Sequence, residues 1–171
     1  TEQPNHAWLQ NTLAHVRTYL VELLMKTGRL QEAHELSQRA IAQHEAILKD
    51  HPEVGDYRRC AGSAFESYGR LEAALARPRE AEAALRRSVA IRENLVADIP
   101  NVPVHGDDLA SSYYSLGVWL AGGGRADEAA ASFRKARALW EQLLTPSPRT
   151  RACERHLAWM LATCPLTEFR D

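Results

Sequence analysis

Apolar side chains recur along this chain at three- and four-residue steps, the period at which one face of a helix returns. Tyr113, Leu116, Gly117 and Leu120 make one such row, and Ala129, Phe133, Ala136, Trp140, Leu143 and Leu144 make a second. An earlier stretch gives the matching row Leu30, Ala33, Ala40, Ile41, His44, Ile47 and Leu48. Between paired rows sits Gly28 or Gly124, where a helix closing in a left-handed residue calls for glycine. Pro78 suits the first turn of a following helix, which needs no backbone donor there. Pro52, Pro100 and Pro148 follow the second rows and stop those helices. Asp107 and Asp108, just before Leu109, read as N-caps. No alternating run of useful length predicts a strand.

The rows repeat. Arg29, Arg77 and Arg125 stand 48 residues apart, as do Pro4, Pro52, Pro100 and Pro148, and Leu13, Ala61, Leu109 and Leu157. Three columns in one register, without a gap, predict helix-pair units at 13–60, 61–108 and 109–156. Residues 1–12 then read as the end of a preceding repeat, and 157–171 as a partial repeat or C-terminal cap of one solenoid. The expected fold is all-α, a stack of antiparallel helix pairs, and the family resemblance drawn below implies that they wind into a right-handed superhelix.

The chain has 171 residues, with 21 basic against 22 acidic side chains and a formal charge of −1. That balance lacks the basic excess that nucleic acids and anionic membranes select, so neither is an expected partner. Hydrophobic residues at 45% and charged residues at 25% fit a folded domain. The opening Thr1-Glu2-Gln3-Pro4 carries no targeting segment, and the expectation is a cytoplasmic protein. Cys60, Cys153 and Cys164 have no C-x-x-C spacing, so reduced thiols are expected rather than a disulfide framework or a zinc site.

These residues resemble the tetratricopeptide repeat. Its pattern appears in the third unit as Tyr113, Leu116, Gly117 and Leu120, then Ala129 and Phe133, then Pro148. The second unit keeps Phe65, Tyr68 and Gly69, then Ala81 and Leu85, then Pro100; the first is the most degenerate. A period of 48 rather than 34 resembles the lengthened repeats of bacterial multidomain proteins, often linked to serine/threonine kinases. The ending Leu157 to Pro165 is similar to a last-unit signature of such arrays.

The resemblance implies a concave groove lined by the first helix of each pair. Its register assigns His15, Thr18, Glu22, Lys26, Ser63, Glu66, Arg70, Ser111, Tyr114, Val118 and Trp159 to that groove. Tyr114 and Trp159 stand out, because aromatic side chains dominate binding hot spots. Glu66 and Arg70, four residues apart, suit a surface ion pair. A chaperone-tail clamp of Lys, Asn and Arg is absent, since Thr18, Glu22, Ser67, Ser111 and Ser115 occupy the matching positions. Gly69, Gly117, Ala33, Ala81 and Ala129 read as points of close helix contact.

Catalytic and metal readings are weaker. Gly122-Gly123-Gly124-Arg125 lacks the Gly-Lys-Ser/Thr ending of a phosphate loop. His105-Gly106-Asp107-Asp108 reads as a loop and cap rather than a metal site. His34 and His44, ten residues apart, miss ligand spacing, and His44 aligns with Trp140 as a packing residue. Cys164 has no assignable histidine base. No cofactor is expected.

The function so implied is a non-catalytic protein-interaction scaffold that binds a peptide or protein segment, as a module of a larger signalling protein. The competing expectation is a structural module that oligomerises or stacks through its terminal helices. The C-terminal helix Leu157 to Ala162 looks apolar all round, so self-association through it is expected unless Leu166 and Phe169 fold back as a cover.

Overall fold

The computed structural model describes residues 4–144 and 151–170; Pro148 and the rest of 145–150 in the third unit lie outside the described residues. Among the described residues seven α-helices follow one another: α1 (Pro4–Lys26), α2 (Leu30–Asp50), α3 (Gly55–Ala74), α4 (Pro78–Asp98), α5 (Pro103–Gly122), α6 (Ala126–Leu143) and α7 (Arg151–Thr163). A short 3-10 helix, Thr167–Phe169, completes the order, and no strand occurs among the described residues. The fold is all-α and built of antiparallel helix pairs. The chain divides into two compact units, 1–91 and 92–171.

Three backbone turns of one design join the helices within pairs. Gly28 N–H donates to Met25 O and Arg29 N–H to Leu24 O, a pairing repeated by Ala76 with Ala73 and Arg77 with Glu72. Gly124 with Ala121 and Arg125 with Leu120 make the third. These are Schellman closures, in which the residue after the helix turns left-handed and the orphan carbonyls find donors. The φ angles are +75° at Gly28, +56° at Ala76 and +75° at Gly124. Ala76 therefore adopts, with a Cβ, a conformation that costs an ordinary residue about 1 kcal/mol. The Gly columns at 28 and 124 meet the sequence expectation, and the alanine between them is the exception.

Several boundaries differ from the sequence reading. Residues 4–12 continue without a break into 13–26 as one helix, α1. Asp107 and Asp108 are not caps: α5 begins four residues earlier at Pro103, with Val102 in the cap position and no side-chain cap bond. The proline at 103 supplies the fixed φ that starts the helix.

In the first unit Val21 and Leu24 of α1, Ala33 of α2 and Leu71 of α3 form one buried cluster. Ala61 and Phe65 of α3 meet Ala84 and Ile91 of α4 in another. Gly69 lets α3 approach α4, since a Cβ there would lie 2.7 Å from Leu85 Cγ. In the second unit Phe133 is fully buried and Trp140 is 2% exposed. A Cβ on Gly117 would stand 2.6 Å from Phe133 Cε1.

α7 is not apolar all round in its setting. Cys153, Leu157, Met160 and Cys164, spaced four, three and four residues apart, are buried, and α7 packs against α5 and α6. The tail behind it folds back, so that Phe169 is 6% exposed with its ring 5.7 Å from that of Phe133. The tail thus folds back as the alternative expectation had it, while Trp159 on α7 stays 62% exposed. Cys60, Cys153 and Cys164 are free and buried.

His44 lies in the first unit at 1% exposure, and neither ring nitrogen has a hydrogen-bond partner among the described residues. Burial, reinforced by the charge of His15, lowers its pKa from 6.5 to about 4. Burial, followed by the charge of Arg59, also lowers that of His15.

Two outcomes test this packing. Gly117→Ala should lower stability by about 1–3 kcal/mol because Phe133, enclosed by other rings, has no space to give; Ala76→Gly should raise it by about 0.5–1 kcal/mol. Thermal melts of both decide, and a stable Gly117→Ala would refute the close contact.

The buried imidazole gives a pH dependence of definite sign. The unfolded ring takes its proton near 6.5 and the folded ring only near 4. Between those values the unfolded state holds more protons, so stability falls as pH drops through that window, by roughly 3 kcal/mol. Denaturant titrations at several pH values should show this loss in the parent and a shallower one in His44→Leu.

Candidate functional site

In the first unit the expected groove positions lie on α1 and α3, which pack side by side. Thr18 is buried at 7%, and its hydroxyl donates to Ala14 O at 3.1 Å, so it presents nothing to a ligand. Ser63 donates in the same way to Arg59 O at 3.3 Å. His15 is half-buried, with its ring edge-on to Tyr19 at 4.7 Å. Arg70 donates to Glu22, from one first helix to the next. Both partners keep substantial exposure, 49% and 30%, so the pair contributes at most about 1 kcal/mol. Lys26 is exposed and Glu66 half-buried.

In the second unit the positions are Ser111, Tyr114 and Val118 on α5 and Trp159 on α7. Tyr114 has a double duty. Its ring packs 5.7 Å from Phe133 and 6.2 Å from Trp140, while its hydroxyl donates to Thr163 Oγ1 at 3.1 Å. Thr163 in turn donates to Trp159 O at 2.7 Å, which accounts for the direction of the first bond. Val118 is 39% exposed and Trp159 62%. Ser111 is half-buried. Trp159 is thus the large apolar side chain on this face that is not committed to the core.

Three polar clusters escaped the sequence reading. Glu72 is fully buried on α3 and lies 2.6 Å from His34 Nδ1, while Arg77 Nη1 reaches Glu72 Oε2 at 3.3 Å and His34 Nε2 at 3.0 Å. A histidine protonated on Nδ1 donates to the carboxylate and accepts from the guanidinium, which satisfies all three groups. Asp107 on α5 accepts from Trp140 Nε1 of α6 at 2.8 Å and from His156 Nδ1 of α7 at 2.8 Å. One carboxylate thereby fastens three helices. Tyr113 donates to Glu93, Lys135 donates to the Tyr113 hydroxyl at 3.0 Å, and the lysine stands 4.7 Å above the ring. This trio borders a cleft of about 440 Å³ whose floor and walls include Leu109, Val96 and Leu139. No motif spacing announced these clusters, because apart from Glu72 and Arg77 each joins residues 20 to 49 positions apart.

None of the clusters is arranged for nucleophilic chemistry. Burial, helped by the negative charge of Asp107, pushes the Cys153 thiol up to about 11, the reverse of what an attacking thiolate needs. Burial also raises Cys164. Among the described residues no group of three or more His, Cys, Asp or Glu side chains is placed to hold a metal ion. No described helix is long and apolar enough to cross a membrane.

A family model for the tetratricopeptide repeat matches residues 13–53 and 109–148. No curated protein matches the chain. The two matched segments begin two 48-residue steps apart, in the register of the Schellman turns at Gly28 and Gly124. Helix pairs in that register carry the family's pattern, and residues 13–53 and 109–148 of this chain are tetratricopeptide repeats.

Proposed function

We propose that the chain is a non-catalytic scaffold that holds a peptide or protein segment against its first helices, as a module of a larger signalling protein. Tetratricopeptide repeats in general mediate protein–protein interaction, and that supports the class of function. The observation that carries the reading to particular residues is Trp159, 62% exposed at a groove position of α7. An exposed tryptophan on a helix held in place by Tyr114 and Thr163 is the kind of rigid aromatic anchor that dominates interfaces. Val118 on α5 adds apolar surface in the same unit. Lys26 and the Arg70–Glu22 pair give the first unit a polar face suited to orienting a partner rather than to driving its burial.

Tyr114→Ala is a poor test because the ring also packs on Phe133 and Trp140. Trp159→Ala, Val118→Asp and Arg70→Glu change exposed side chains and spare the core. Peptides selected from a random display library on the 171-residue chain should lose at least about tenfold in affinity with Trp159→Ala, measured by calorimetry with helicity unchanged. Lys135→Ala, at the cleft of Glu93 and Tyr113, should leave affinity unaltered. Selected peptides that bind all three groove variants as tightly as the parent would place recognition elsewhere.

A further inference from the structure

The cleft beside Tyr113 belongs to one unit and not to the repeat as such. It holds about 440 Å³, it is lined by residues of α4, α5 and α6, and all of them fall within the compact unit 92–171. A second cleft of about 320 Å³ continues it, sharing Val96, Leu139 and Gln142. One repeat earlier the matching positions read Leu48, Ala61, Phe65 and Ile91, and those side chains pack into one cluster, with Phe65 7% and Ile91 6% exposed. Here the same columns read Val96, Leu109, Tyr113 and Leu139. Two changes lower the α4 wall: Val96 is a methylene shorter than Leu48, and Ala97 has a methyl where Lys49 has a long stem. A third fixes the floor, since the Tyr113 hydroxyl, which Phe65 lacks, donates to Glu93 and accepts from Lys135 at 3.0 Å.

The polar groups at the cleft come as a donor beside an acceptor. Tyr113 is fully engaged, but Lys135, 59% exposed, has N–H donors beyond the one directed at that hydroxyl. Glu93, 47% exposed, meets both Tyr113 and Lys135 through Oε1, the lysine at 3.7 Å, which leaves Oε2 as an acceptor. The hydrogen bond to Tyr113 raises the pKa of Lys135 and keeps it cationic, while burial and then the bond to Glu93 raise that of Tyr113 and keep it neutral. The charges at the cleft therefore cancel. A ligand carboxylate reaches Lys135 only by approaching Glu93, and an ammonium reaches Glu93 only by approaching Lys135. A carboxamide answers both, its N–H donating to Glu93 and its carbonyl accepting from Lys135. Beyond that end Val96, Leu109 and Leu139 present apolar walls, which favour hydrocarbon. We propose that this cleft binds an uncharged amphiphile, a hydrocarbon chain ending in a carboxamide, with its head at Glu93 and Lys135 and its chain over Leu109 toward Leu139. The site is separate from the first-helix face that holds a peptide, because Val118 points about 140° away from Tyr113 around α5 and Trp159 is not among the lining residues.

Titration of the 171-residue chain with hexanamide, hexanoate and hexylammonium, followed by the backbone amide resonances of Ala97, Leu109 and Ala138, tests the site, since the three probes share one tail and differ in the charge of the head. Hexanamide should shift these resonances and saturate with a Kd of roughly 1 mM, and the two charged probes should bind at least about tenfold more weakly. Glu93→Gln leaves Lys135 without its counter-charge and should bring hexanoate level with hexanamide or above it. Val96→Leu with Ala97→Lys, which rebuilds the wall of the earlier repeat, should weaken hexanamide more than about tenfold with helicity unchanged. Hexanamide that moves none of the three resonances up to about 20 mM overturns the proposal. A charged probe that binds the parent as tightly as hexanamide overturns it too, because the head would then be read by something other than the Glu93 and Lys135 pair. So does hexanamide binding that survives the Val96 and Ala97 changes. Trp159→Ala should leave hexanamide binding unaltered while it weakens the selected peptides, so the two readings fail independently.

Discussion

The left-handed residue that closes each first helix governs the rest of the architecture. With the same two backbone hydrogen bonds at 28, 76 and 124, every second helix departs in the same direction. It also departs at the same rotation. The N–H groups of Ala33, Ala81 and Ala129 then donate to the carbonyls of Arg29, Arg77 and Arg125, each at 3.0 Å. All three alanines are fully buried. Where the second helix comes nearest, the first has Gly69 or Gly117, and the ring of Phe133 or the branch of Leu85 takes the space a methyl would fill. The turn thus fixes which residues must be small: an alanine five positions after it in every pair and, on α3 and α5, a glycine seven positions before it.

Further along the second helices a single register position shows how a conserved volume can be filled by different chemistry. His44, Arg92 and Trp140 occupy it, none more than 3% exposed. Arg92 donates to Asp108 O at 2.7 Å and to the Ser112 hydroxyl, and Trp140 donates to Asp107. Buried polar atoms demand partners, and these two find them on the neighbouring first helix. At His44 the helix opposite brings Asn11, whose amide turns to the sulfur of Cys60 at 3.6 Å. The imidazole is kept neutral instead, which is why its cost appears only in acid.

Much of this was legible beforehand because helical periodicity and the 48-residue step act through local sequence. The all-α class, the glycine turns at 28 and 124, the proline at 78 and the tight contacts at Gly69 and Gly117 all followed from one register. What failed were arguments from short spacing. Asp107 looked like a cap because a hydrophobic row began at Leu109, yet Pro103 started the helix earlier and freed the carboxylate to bridge Trp140 and His156. Arg70 also reaches Glu22 on a neighbouring helix, a partner that no short spacing announces. Ala76 hid a left-handed turn because its side chain gives no warning of positive φ. Of the candidate site, Trp159 and Val118 are exposed as the register implied, whereas Thr18 turned inward because a hydroxyl can back-bond to its own helix. The cleft lined by α4, α5 and α6 was invisible to the same reasoning: a periodic apolar stripe says that a face packs, not how tightly.

The distribution of thiols has a consequence for watching the molecule move. Cys60 belongs to the first unit, and Cys153 and Cys164 to the second; all three are shielded. A reagent that attacks only accessible sulfur therefore reads nothing from the closed state and counts openings as they occur. One labelled site marks excursions of the amino-terminal half, two mark those of the carboxy-terminal half, and mass alone tells them apart. The protein carries, at native positions and without added dye, separate clocks for the breathing of its two halves.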